Sequence, residues 1–466
     1  MRNIAASILV PSLFLFACGS SSGDGGGPLA GPQAPGASTS PPPGAPPPAS
    51  EEPSCPTTTS GPTRHSGDVA GDAVWTAAAS PHVVTADVLV RDGASLTIEP
   101  CAEVVMAKGA HLLVAFPGTS AGALRAEGTA KRPIRVRGDG GARWASLHVH
   151  APGTARLAHV SFEGGGGGDF EDGVTVHAVG VGDGHPAPIL AVDHVTVSGS
   201  LGSGVWMERG AAFVDGSREL VVRGAGAEPM IVSEHAVGTL PTGSYVGNGA
   251  DRVLLVPEGG PAAGQGLQDD ATIRDRGVPY LVGRGERSNL VIGGRPDGKL
   301  VTLTVLAGVT LQMRRGSAIK VQAFTSAAPS TAALRVLGSA TSPVVFTSAE
   351  ATPAPGDWVG VWYGGAPGDT NAIEHARIEY AGGDCGCILA TCSAVASHAA
   401  AILLTAPPAS AFVRDTKVIA SAGHGVSRGY VGAAVDFRPT NDFGVAGCAQ
   451  TLPSAASCPS PKPACE

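Results

Sequence analysis

Gly423-His424-Gly425 sets an imidazole between two glycines, where it could assist hydrolysis if an acid and a base carboxylate stood beside it. The chain's one Asp-Asp pair, Asp269-Asp270, lies far upstream, so His424 reads as a turn residue. His148 and His150 share one strand face with His159 soon after, a set that could ligate a transition metal. They read better as solvated histidines on an outer face, and no metal or other cofactor is expected. His159 and His375 are each followed four residues on by an acid, Glu163 and Glu379, and read as structural parts of a turn. Trp358 and Trp362, four residues apart on one outward face, are the candidates for stacking on a ligand ring. Gly118 to Gly122 has the spacing of a nucleophile elbow, but a strand follows where a helix is needed. Gly293 to Lys299 has phosphate-loop spacing, with Leu300 in place of the Mg²⁺-binding hydroxyl. Both read as turns, and no catalytic residue is assigned.

The elements that must position these residues are short. In 466 residues the chain has 67 glycines and 38 prolines, with 15% charged and 5% aromatic residues, which excludes a helical bundle or coiled coil. The net charge of −8 argues against a nucleic-acid partner held through phosphates. Beyond Ser66, brief apolar runs alternate with Gly, Pro, Asp and Ser: His82 to Val84, Asp87 to Val90, Ser95 to Ile98, Glu103 to Met106, His111 to Val114, Pro133 to Val136, Ala155 to Phe162. Period-two alternation without helical periodicity predicts an all-β body.

An internal repeat orders these strands. Leu96-Thr97-Ile98 through Met106 and Gly109 matches Leu303-Thr304-Val305 through Met313 and Gly316. Ala123-Leu124-Arg125 matches Ala333-Leu334-Arg335, Trp144 matches Trp358, His159 matches His375, and Gly204-Val205 matches Gly425-Val426, at an offset that only grows. The body is therefore expected as two tandem copies of one module, 66–260 and 261–466. The steps "LTIEP", "GTAKRPIRV" before a Trp, "HVSFEGG" or "HARIEYAGG", and a closing Gly-X-Gly-Val resemble the right-handed parallel β-helix, specifically the lipid-anchored β-helix proteins of myxobacterial-type surfaces. Strand parity puts Ala145, Leu147, Val149, Val359, Val361 and Tyr363 inward, and Trp144, His148, Trp358 and Trp362 outward. Among β-helix enzymes, polygalacturonases carry Gly-His-Gly with Asn-X-Asp and Asp-Asp before it and Arg-X-Lys after it, a set this chain lacks. Pectate lyases need clustered acids for Ca²⁺ plus an arginine base, and no dense acidic cluster is visible.

Arg2 and the apolar run Ile4 to Ala17 form an export signal too short to span a bilayer. It ends in Leu15-Phe16-Ala17-Cys18, which resembles a bacterial lipobox and implies that residues 1–17 are removed and Cys18 is lipidated. Gly19 follows in place of a retention aspartate, which favours the outer membrane. Residues 18–65 hold the lipidated cysteine and a Gly/Pro/Ser tether with too little apolar surface to fold.

Export makes disulfides the expected state of the other eight cysteines. Cys55 and Cys101 stand alone and are expected to pair. Cys385, Cys387 and Cys392 are expected to pair mainly with Cys448, Cys458 and Cys465, stapling the tail as a cap; a metal site at Cys385 to Cys392 is the weaker alternative. The expected function is a non-catalytic surface lipoprotein whose partners are the membrane, through the lipid, and a glycan or envelope polymer. The alternative is a polysaccharide lyase or glycoside hydrolase. Three or more carboxylates, or an Arg–Asp group, converging in one cleft would favour the enzyme. The sequence leaves the oligomeric state open.

Overall fold

The computed structural model describes residues 54–168, 176–258, 266–293, 297–322, 329–383, 399–454 and 463–466. Cys18, Cys385, Cys387, Cys392, Cys458 and the tether up to Pro53 lie outside the described residues. The described chain is a right-handed parallel β-helix in which each coil contributes three short strands to three faces. Face one stacks Asp72–Trp75, Ser95–Ile98, Ala123–Glu127, Thr154–Ala158 and the first part of Ala187–Ser198. Face two stacks Glu103–Met106, Ile134–Gly138, Val160–Glu163 and the rest of Ala187–Ser198, followed by Arg218–Arg223. Face three stacks Leu112–Val114, Leu147–His150, Val176–Val179, Val205–Glu208, Met230–Ser233 and Val253–Val256.

Alternate side chains of every strand enter one continuous core, including Leu96, Val104, Leu112, Leu147, Val205, Met230 and Tyr280. Several corners between faces one and two are turned by a left-handed residue. His159, His194 and Glu219 occupy that position in successive coils at φ 47°, 53° and 53°; His375 and Asp415, at 49° and 50°, take the same conformation at the later corners that lead into Ala376–Glu379 and Lys417–Ser421. His159 and His194 stack with ring centroids 4.7 Å apart. His159 and His375 are therefore corner residues, and His159 splits the stretch read as one strand, Ala155 to Phe162, into two. After face two, Gly164, Gly199 and Gly224 form a column at φ 73°, 67° and 65°, where a Cβ would be strained.

The faces do not keep their phase. Thr310–Met313 is the repeat counterpart of the face-two strand Glu103–Met106. It nevertheless continues face three, because Tyr280–Val282 pairs with Val253–Val256 on one side and with Thr310–Met313 on the other. The slip falls between Val256 and Tyr280. Beyond it the other two faces are five-stranded sheets, one from Ala271–Ile273 to Val413–Arg414 and one from Leu290–Ile292 to His424–Arg428.

Several expectations are corrected. Trp358 is fully buried in the core, not outward. It precedes the strand Gly360–Tyr363, so strand alternation does not reach back to it; Trp144 points inward for the same reason. Trp362 is only 5% exposed, with Lys320 Nζ 5.4 Å from its ring. Neither indole offers a face to a ligand. His424 is no surface turn: it opens a strand, is buried, and its Nδ1 accepts the Cys448 N–H at 2.9 Å. Cys55 and Cys101 are joined as expected. Cys448 bonds to Cys465, so neither reaches Cys385, Cys387 or Cys392. The antiparallel bridge between Thr451 and Cys465 folds the tail back beside Cys448, which makes that partner the near one. Buried Arg428 ties down the same segment through Val435 O, Thr451 O and the Glu466 carboxylate.

Candidate functional site

Face three builds an unusual outer surface. Its register aligns Leu113, His148, His177, Trp206, Ile231, Leu254 and Leu281 in one outward column. His148 is 1% exposed, against the expected solvated position, because its ring lies 4.4 Å from His177, 4.6 Å from His150 and 5.7 Å from Phe116. Burial, followed by the neighbouring imidazoles of His177, His150 and His111, pushes its pKa down to about 2. His148 is a neutral packing element.

The column turns polar at the strand ends above Trp206. Glu208 closes Val205–Glu208, Glu234 and His235 follow Met230–Ser233, and Glu258 lies two residues past Val253–Val256. His177 Nε2 lies 3.3 Å from Glu208 Oε1. The Glu258 backbone N–H reaches both Glu234 oxygens, at 3.0 and 2.8 Å, and the Arg209 N–H donates to the Glu258 carboxylate. His235 Nε2 stands 3.6 Å from Glu234 Oε1. Exposed Arg284 lies over the half-buried Trp206 ring, 4.7 Å from its centroid. On the flank, His185 Nδ1 and Asp269 Oδ2 are 2.6 Å apart, and Asp183 accepts the His185 N–H. Asp269 thus belongs to this neighbourhood through space.

The three glutamates differ electrostatically. Burial works against the charged form of Glu208, but the hydrogen bond and charge of His177, with Arg284 and Arg209, outweigh it and hold its pKa below the usual carboxylate range. Glu258 is exposed as a residue, yet its carboxylate turns back toward Arg209. Desolvation, with the charges of Glu234 and Glu208, raises its pKa. Burial lowers the pKa of His235 despite the nearby acids Glu258, Asp269 and Asp183. One carboxylate is thereby biased to stay ionised and another to hold a proton, the pairing that acid–base chemistry uses. The group can also accept hydroxyl protons, donate through guanidinium, and hold a cation.

Glu208, Arg209, Glu234, His235 and Glu258 were invisible as a set in the sequence, where each is an isolated acid, base or imidazole. Glu234 and Glu258 are 24 residues apart, one coil, and Arg209 and Glu258 are 49 apart, two coils. Charged residues recurring at the coil period just after a face-three strand are the signal that finds them.

Residues 298–387 match the family model of a pectate-lyase-like β-helix domain. No curated protein and no solved structure matches the chain. The matched segment lies beyond the slip, while the cluster from Trp206 to Arg284 spans the slip and precedes the matched segment.

Proposed function

We propose that the chain is a surface-displayed lipoprotein that binds a glycan or envelope polymer on the outer side of face three. The convergence of Trp206, Arg284, Glu208 and Glu258 on one patch of this face carries this reading. Carboxylates accept from sugar hydroxyls, and the Arg284 guanidinium pairs with sugar carboxylates or phosphates. Arg284 on Trp206 keeps a planar donor at the edge of an apolar ring. Lipidation at Cys18 and a tether that ends before Cys55, which is bonded to Cys101, and before the paired strand Thr63–Asp68 would hold this face off an outer membrane, a reading supported by the lipobox-like Leu15 to Cys18.

A second reading, a polysaccharide lyase or glycoside hydrolase, is favoured by the convergence of three carboxylates, Glu208, Glu234 and Glu258, beside Arg209 and Arg284. Incubation with a panel of acidic and neutral polysaccharides, scored for retention and for new chain ends together, separates the two. Retention without cleavage is the expected result. Cleavage abolished by Glu258→Gln would move the assignment to the enzyme.

A further inference from the structure

Glu234, His235 and Glu258 sit at the ends of two stacked strands, in the register that pairs Ser233 with Val256. They bring one imidazole nitrogen and two carboxylate oxygens within 4.8 Å of one another. The carboxylates are oriented by the backbone: Glu258 N–H holds Glu234, and Arg209 N–H holds Glu258. A carboxylate has about four acceptor sites, so each keeps lone pairs for a further partner. His235 supplies the observation that an acidic cluster alone would not. It is 8% exposed, its buried Nδ1 has no hydrogen-bond partner, and its Nε2 faces Glu234 at 3.6 Å, beyond hydrogen-bond reach.

The His235 Nε2 faces the Glu234 carboxylate beyond hydrogen-bond distance, which leaves room for an ion between them. A cation among the three groups bridges donors that do not bridge one another and relieves the repulsion between Glu234 and Glu258. Ca²⁺ favours roughly six to eight oxygens, whereas a nitrogen with two carboxylates suits an ion of borderline softness. We propose that Glu234, His235 and Glu258 form a binding site for a divalent transition-type ion, Zn²⁺ foremost. Glu258 provides the exposed side for entry. Three protein donors leave a coordination position facing outward, as open zinc sites do.

The test needs no glycan, so its outcome is separate from that of the proposed polymer binding. The full chain, stripped with a chelator, is titrated with Zn²⁺ and with Ca²⁺ by calorimetry, and Co²⁺ is added for its visible absorption. One Zn²⁺ per chain is expected, at least about 100-fold tighter than Ca²⁺, together with Co²⁺ bands of a nitrogen–oxygen site. Glu258→Gln and His235→Ala should each weaken Zn²⁺ by about tenfold or more. Glu258 is exposed, so its variant decides the matter should His235→Ala not fold. No stoichiometric Zn²⁺, tighter Ca²⁺ than Zn²⁺, or affinity unchanged in either folded variant overturns the site.

Discussion

The indole N–H of Trp144 donates to the backbone carbonyl of Glu163 at 2.7 Å, and Trp358 makes the same bond to Glu379 at 2.7 Å. Each tryptophan lies just before a strand, reaches into the core, and satisfies its one donor on the carbonyl that ends a later strand, Val160–Glu163 for Trp144 and Ala376–Glu379 for Trp358. The ring packs near Phe162 in one case and Phe346 in the other. The acids four residues after His159 and His375 thus serve through their backbone oxygens, while the histidines supply the left-handed corner.

Trp358→Ala should destabilise the body by about 3–5 kcal/mol, the range for removing a large buried aromatic. Trp358→Phe should cost about 1–3 kcal/mol through the orphaned Glu379 carbonyl. Chemical denaturation measures both. Lost polymer retention at unchanged stability would restore Trp358 as a ligand contact.

His148 gives the stability a pH dependence. Its folded pKa of about 2 lies below the unfolded value of 6.5, so both states are neutral above pH 6.5 and it contributes no slope there. Below pH 6.5 the unfolded chain takes up a proton that the folded chain refuses. Stability therefore falls as pH drops, by up to about 1.4 kcal/mol per unit for one such group, until the folded pKa is reached. His148→Leu, matching Leu113 in the column, should flatten urea-denaturation stability between pH 6 and pH 4. An unaltered slope would place the pH dependence elsewhere.

Much of the architecture was legible because it rests on local chemistry: apolar alternation in four-residue strands, glycine at forced corners, and landmarks such as Trp144 and Trp358 repeated in order. What failed was parity beyond a strand's end, which turned Trp358 outward, and any feature made by stacking. His148 looks solvated from strand parity and is buried by the rings packed around it, His177 one coil above among them. Glu208, Glu234 and Glu258 are likewise separate residues until the coils bring their strand ends together.

Non-reducing peptide mapping should recover Cys55 linked to Cys101 and Cys448 linked to Cys465. The second bridge closes a span of 17 residues and should contribute about 3 kcal/mol, read as the loss in Cys448→Ser. Cys448 recovered on a peptide containing Cys385, Cys387 or Cys392 would contradict the observed pairing.

Cys18→Ser tests the anchor. The variant should move from the membrane fraction to a soluble or unprocessed pool. Unchanged detergent partitioning would remove lipidation from the account.

Polymer affinity of the Arg284→Ala protein, measured on the polysaccharide that the wild-type chain retains best, tests the central claim most directly. Arg284 is exposed and its loss should alter stability by no more than about 0.5 kcal/mol, so a change in affinity reads recognition rather than folding. The account predicts a loss of at least about tenfold, with a similar loss in Glu258→Gln. Undiminished affinity in both variants would contradict it and move the binding surface away from face three.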